Sequence, residues 1–206
     1  FQALRAEAAD LLKKVQTVLQ FTTSKDYIYD YLDILAARFC HGLSFPCRDG
    51  VCITQADYDA LIDQYYKENA YFFNQTLSRL QVGFFMRDFL EDIDAMMSGD
   101  VVYHHYSAHD SSLSAILSYI GADPATPIPY ASVLVFEIYD VNGEDRVRVV
   151  FNNKPIASES CSSDATTCPL AQFKEYLQNL LPDYAECKNN RNARPTLSRK
   201  GWDIMN

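Results

Sequence analysis

The chain has 206 residues, 48% of them hydrophobic, enough for one large or two small domains with a sizeable buried core. Its 18 basic and 27 acidic residues leave a net charge of −9, which argues against nucleic acid or an anionic membrane surface as partner, since both need basic patches. No run reaches the roughly 18 uncharged apolar residues of a membrane span, because Asp110, Asp123 and Glu137 interrupt the longest ones.

In chain order, FQALRAEAADLLKKV opens without a Met and lacks the apolar centre of a signal peptide, so any targeting segment is expected to have been removed or to lie outside these residues. Leu4, Ala8, Leu11, Leu12, Val15, Val18 and Leu19 recur at helical spacing, and a second helical run covers Asp26 to Phe39. CHGLSFPCRDGVC then brings two glycines, a proline and three cysteines together, as in a stapled loop. Thr54 with Asp57 three positions on resembles a capping box and opens a helical stretch toward Leu80. A further helix is predicted from about Val82 to Met97, stopping at Ser98-Gly99. Residues 1–98 are therefore expected to form a mainly helical region.

The pattern changes after that. DVVYHHYSA reads as a β-rich run with its strand through Tyr103 to Ser107, SSLSAILSYIG as a short helix closed by Gly121, and SVLVFEIYD as a buried strand. Asn142-Gly143 between two apolar runs is a strong hairpin signal. Pro169 suits the first turn of a last amphipathic helix. From Lys188 onward Arg191, Arg194, Arg199 and Lys200 outweigh Asp203, which predicts an exposed basic tail over 188–206.

Six cysteines, none in a CxxC pair, and histidines not placed to complete a zinc site favour disulfides in a secreted, lysosomal or vacuolar protein. Fifteen pairings are open. The shortest loops favour Cys47–Cys52 and Cys161–Cys168, leaving Cys40 and Cys187 for each other or for a partner elsewhere. Asn74-Gln75-Thr76 is a glycosylation sequon that fits the same compartment.

Three of the four histidines fall in YHHYSAHDSSL. His109-Asp110 sits where the predicted strand ends and the next helix begins, a place where free backbone N–H groups favour an anion such as phosphate. An imidazole donating to a phosphoryl oxygen beside a carboxyl that protonates a leaving group is a workable pair for phosphate ester cleavage. Taken alone, the pair also reads as an ordinary helix cap. His104 and His105 read as strand histidines satisfying local hydrogen bonds, on opposite faces. A divalent ion held by His105, His109 and Asp110 would lack a second cluster of ligands, so no metal and no cofactor is expected.

YSAHDSSLSAILSYIG, PIPYASVLVFEIYD, DRVRVVFNNKPI and CSSDATTCPLAQFKEYL follow one another as in the C-terminal portion of histidine acid phosphatases, and FCHGLSFP resembles their cap segment. The resemblance implies an α/β fold: the C-terminal part of a three-layer core over residues 99–187, carrying the mainly helical cap of residues 1–98. It further implies a mechanism in which a histidine attacks phosphorus, arginines hold the phosphoryl oxygens, His109 binds the phosphoryl group and Asp110 is the general acid. Ser111-Ser112, in place of two threonines, favours the general phosphatase branch over phytase-like members. The family's Arg-His-Gly signature is absent, since His41-Gly42 follows Phe39-Cys40 and no Arg-x-Pro comes after it. The nucleophile is therefore expected on an N-terminal portion or companion chain, with a phosphate monoester as substrate and homo-oligomerisation left open. The rival class is a non-catalytic phosphatase-like protein that binds a ligand or partner.

Overall fold

The computed structural model describes residues 2–21, 28–122, 128–161 and 167–187, so the predicted basic tail lies outside them. The described residues divide into two compact units between Phe72 and Phe73.

The first unit is helical, with one small hairpin. Helices α1 (Gln2–Glu7), α2 (Ala9–Leu19) and α3 (Ile28–Cys40) lead to strands β1 (Cys47–Arg48) and β2 (Val51–Cys52), and α4 (Gln55–Phe72) ends the unit. Leu12, Val15 and Val18 of α2 meet Ile28, Tyr31, Leu32 and Leu35 of α3, together with Ile53 and Leu61. Fully buried leucines such as Leu35 and Leu61 each contribute about 1.5–3 kcal/mol over an exposed position. The hairpin turns at Asp49 and Gly50, both at positive φ (50° and 76°), the conformation a two-residue turn requires. Cys47 and Cys52 face each other in register with Cα atoms 4.0 Å apart and are disulfide-bonded.

Thr54 and Asp57 form a complete capping box. The Asp57 carboxylate accepts from the Thr54 N–H at 2.7 Å, and the Thr54 hydroxyl accepts from the Asp57 N–H at 3.2 Å. Lys14 Nζ donates to the same carboxylate at 2.7 Å. Burial pushes the Asp57 carboxyl upward, but the bonds from Lys14 and Thr54 outweigh it and hold the group below its usual range. The helical stretch expected to reach Leu80 breaks earlier. It ends at Phe72, and Asn74 starts a new helix as N-cap, its side-chain oxygen accepting from the Leu77 N–H at 3.1 Å. An Asn bonding its own backbone competes with helix continuation.

The second unit begins with that helix, α5 (Gln75–Met97), and continues through α6 (Asp110–Tyr119) to the long hairpin of β3 (Leu134–Val141) and β4 (Glu144–Phe151). Short strands β5 (Lys154–Pro155) and β6 (Cys168–Pro169) both pair with β4, and α7 (Leu170–Asn179) and α8 (Tyr184–Cys187) follow. All pairings are antiparallel. Asn142 and Gly143 (φ 56° and 86°) make the predicted turn, closed by Val141 opposite Glu144. One face of the hairpin is apolar: Phe136 lies opposite Val149 and Ile138 opposite Val147. Phe136 packs on Phe89 of α5 and Phe173 of α7, with ring centroids 4.8 and 5.7 Å away. On the other face Arg148 pairs with Glu137 directly across the strands at 2.6 Å.

Gly121 ends α6 at φ 70°, with its N–H on the Ser118 carbonyl and the Ala122 N–H on the Leu117 carbonyl, a Schellman motif. A Cβ at Gly121 would come within 2.5 Å of Glu159, on the 3-10 turn Glu159–Cys161. Cys161 and Cys168 are disulfide-bonded. Cys40 is exposed and has no disulfide partner among the described residues, and the side chain of Cys187 lies outside them.

Two expectations of strands change against this fold. Residues 101–109 form no strand, because no described strand lies beside them to complete a ladder. Strand β3 is half-exposed rather than buried, since helices cover only one face of an antiparallel hairpin. The described residues pack as two units divided at Phe72–Phe73. Helix α5 carries Val82, Met86, Phe89, Leu90 and Ile93 into the core of the second unit, so the change from helical to β pattern does not coincide with the change of core. Helices with small antiparallel sheets fit an α/β class.

Candidate active site

The His109-Asp110 pair lies where an extended segment enters α6. His109 is the N-cap residue (φ −108°, ψ 167°) and is exposed; Asp110 is the first helical residue and is half-buried. The His109 carbonyl accepts the first helical bond from Leu113 N–H at 3.1 Å. The His109 N–H reaches the Ser112 hydroxyl at 3.5 Å. Asp110 Oδ1 accepts from the Ser111 N–H at 2.8 Å, which turns the carboxylate toward the positive end of the helix. The adjacent side chains are thus an exposed imidazole and a half-buried carboxylate bonded to backbone.

The segment before the pair alternates faces although it pairs with no strand. Tyr103 (71% exposed) and His105 face outward. His105 is held locally, Nδ1 by the Tyr103 hydroxyl at 3.2 Å and Nε2 by the Ser107 hydroxyl at 3.4 Å. His104 and Tyr106 face α5, their rings stacked with centroids 6.2 Å apart. The Tyr106 hydroxyl donates to Asp92, and His104 Nδ1 lies 3.5 Å from the same carboxylate. The Tyr106 ring meets Phe85 edge to face at 5.1 Å. Burial, the Asp92 bond and the charges of Asp92 and Asp88 push the Tyr106 phenol far above its ordinary value, so it remains a donor. His104 Nε2 is buried without a hydrogen-bond partner among the described residues.

The two histidines expected on a strand therefore differ. His105 satisfies itself locally, whereas His104 joins a side chain from another element. Asp92 was not singled out in the sequence; its only signal there is a position four residues after Asp88, on one face of a long helix. Among the described residues no three His, Cys, Asp or Glu side chains gather as a metal site, so His105, His109 and Asp110 do not converge as ligands in this conformation. Asn74, the sequon residue, is exposed at the start of α5.

No family model matches the chain. Curated relatives do. A 2-phosphoxylose phosphatase 1 from Xenopus tropicalis is 28% identical over 174 residues, covering 71% of this chain and 32% of the relative. The prostatic acid phosphatase of Rattus norvegicus is 28% identical over 130 residues, 58% of this chain and 33% of its own length. The lysosomal acid phosphatase of Xenopus laevis is 32% identical over 114 residues, 50% and 26% of the two chains. The chain is a homologue of histidine acid phosphatases. It spans about a third of the length of the relatives it matches, 32% in the first case, and this partial coverage fits the C-terminal portion of a histidine acid phosphatase.

Proposed function

We propose that these residues belong to an acid phosphatase that hydrolyses phosphate monoesters through a phosphohistidine, and that they supply its proton-donor motif. The observation that carries the reading is the exposed His109 beside Asp110 at the N-terminus of α6, in a chain whose relatives are named phosphatases. A histidine on polypeptide outside these 206 residues attacks phosphorus while His109 and arginines hold the phosphoryl oxygens. The P–O bond to the alcohol breaks, and Asp110 gives its proton to the departing oxygen. Water then attacks the phosphohistidine, Asp110 takes up its proton, and phosphate leaves with the histidine restored.

In this reading residues 1–98 serve as the helical cap and residues 99–187 as the C-terminal part of a three-layer core, with α5 at the border. Two disulfides and relatives named prostatic and lysosomal acid phosphatases support a secreted or lysosomal location. The second reading, a non-catalytic protein that binds a phosphorylated ligand or a partner, is favoured by the absence of an Arg-His-Gly sequence from these residues.

One experiment separates the two. The native material is purified, sequenced for a polypeptide carrying Arg-His-Gly, assayed on an aryl and an alkyl phosphate at acid pH, and quenched in alkali to trap phosphohistidine, which is stable to base and labile to acid. Turnover with a trapped phosphohistidine is expected. Native material without phosphomonoesterase activity, or active without a phosphohistidine, overturns the proposed mechanism.

A further inference from the structure

We propose that Asp92 of α5 is a positioning residue for the His109-Asp110 pair, acting through Tyr106 and His104 on the segment that carries the pair. The inference rests on the phosphatase reading and adds to it a residue outside the motif.

The segment needs an anchor. Between the end of α5 at Met97 and the start of α6 at Asp110 no described strand pairs with the chain, so its path is set by side chains rather than by a ladder. Val102 and Tyr103 are 90% and 71% exposed, and the Tyr103 hydroxyl meets only His105 of the same segment. The inward residues are His104 and Tyr106, and both meet Asp92. Tyr106 precedes His109 by three residues, which span at most about 10 Å fully extended. A fixed Tyr106 therefore restricts where His109 and Asp110 can lie. Packing on Phe85 sets the Tyr106 ring, and the hydroxyl bond to Asp92 sets where that ring sits along α5. Asp92 itself stands on α5, one residue before the fully buried Ile93.

A proton donor misplaced by about 1 Å can cost on the order of 10²-fold, and the cost falls on the step that needs the proton. Loss of the anchor should therefore cost much more on esters whose alcohol needs the proton than on esters whose alcohol leaves unprotonated, where only the hold of His109 on the phosphoryl group is weakened. Tyr106→Phe and Asp92→Ala are made in the complete native protein, beside Asp110→Asn, and kcat and KM are measured on a sugar phosphate and on an aryl phosphate with an acidic phenol. The expected result is a fall in kcat of roughly tenfold or more on the sugar ester and within about threefold on the aryl ester for both anchor variants. Asp92→Asn, which keeps an oxygen for the Tyr106 hydroxyl, should recover most of that loss. Should Asp92→Ala fail to fold, Tyr106→Phe, smaller by one oxygen, carries the test.

Equal losses on the two esters would mark the contact as merely structural and overturn the proposal, as would no loss on either. If Asp110→Asn discriminates between the esters and the anchor variants do not, the inference fails alone. If Asp110→Asn does not discriminate, the general-acid reading fails and takes the inference with it.

Discussion

At the scale of single residues, the leaving group decides what Asp110 is worth. A general acid matters most when the departing oxygen is strongly basic, so Asp110→Asn should lower turnover on alkyl phosphates about 10²–10⁴-fold and on aryl phosphates much less. Steady-state kinetics on a matched pair of esters checks this, and equal losses would remove the acid role. A second residue, Glu186, ties acidity to stability. Two bonds from Arg79, at 2.6 and 3.0 Å, and one from the Asp183 N–H hold its carboxyl at about 2 against an ordinary 4.5. Because the folded value is depressed, the contribution is fully present above pH 4.5 and fades as pH falls toward 2. The pair thus persists at the pH of an acid compartment. Glu186→Gln should lower the thermal midpoint at pH 6, and the gap to wild type should shrink between pH 4.5 and 2. A pH-independent gap would show that the charge is not responsible.

At the scale of elements, close packing gives the sharpest expectation. Gly83 of α5 lies under Pro182, and a Cβ there would come within 2.2 Å of the proline ring. Gly83→Ala should therefore destabilise the second unit by about 1–3 kcal/mol despite the better helix propensity of Ala, as measured by chemical denaturation. An unchanged or raised midpoint would mean that the chain after α7 yields easily. The capping box of α4 makes a milder case: Thr54→Ala should cost about 1 kcal/mol. Local signals of this kind were legible. Thr54 with Asp57, Gly121 after α6 and Asn142-Gly143 each specify their own backbone, because the hydrogen bonds they make span only a few residues. The end of α4 at Phe72 was less legible, since apolar residues continue past it and only the Asn74 cap marks the restart.

At the scale of the whole molecule, exposed apolar surface sets the expected behaviour. Val102 and Tyr103 on the unpaired segment, Tyr130 at 69% exposure, and Val133 and Val135 beside the outer edge of β3 leave large apolar groups in water. Such edges and patches favour association. Residues 1–206 expressed alone should not give a cooperative, monomeric unfolding transition. Analytical ultracentrifugation combined with thermal melts checks this, and a sharp two-state melt of a monodisperse monomer would contradict it.

The sequence by itself determined what depends on near neighbours: helices from apolar spacing, the hairpin turn from Asn142-Gly143, and the placement of His109-Asp110 at the start of a helix; it favoured Cys47–Cys52 as a short loop among fifteen open pairings, and the structure forms that bond. Only the tertiary structure decided that α5 packs in the second unit, that the His104–Tyr106 stretch is extended yet unpaired, and that both of those side chains meet Asp92. The reason is physical. A cap or turn is satisfied by groups a few residues away, so its chemistry can be read locally. A strand exists only when another backbone lies beside it, and a contact such as Tyr106 with Asp92, 14 residues apart, exists only once a core has brought two elements together.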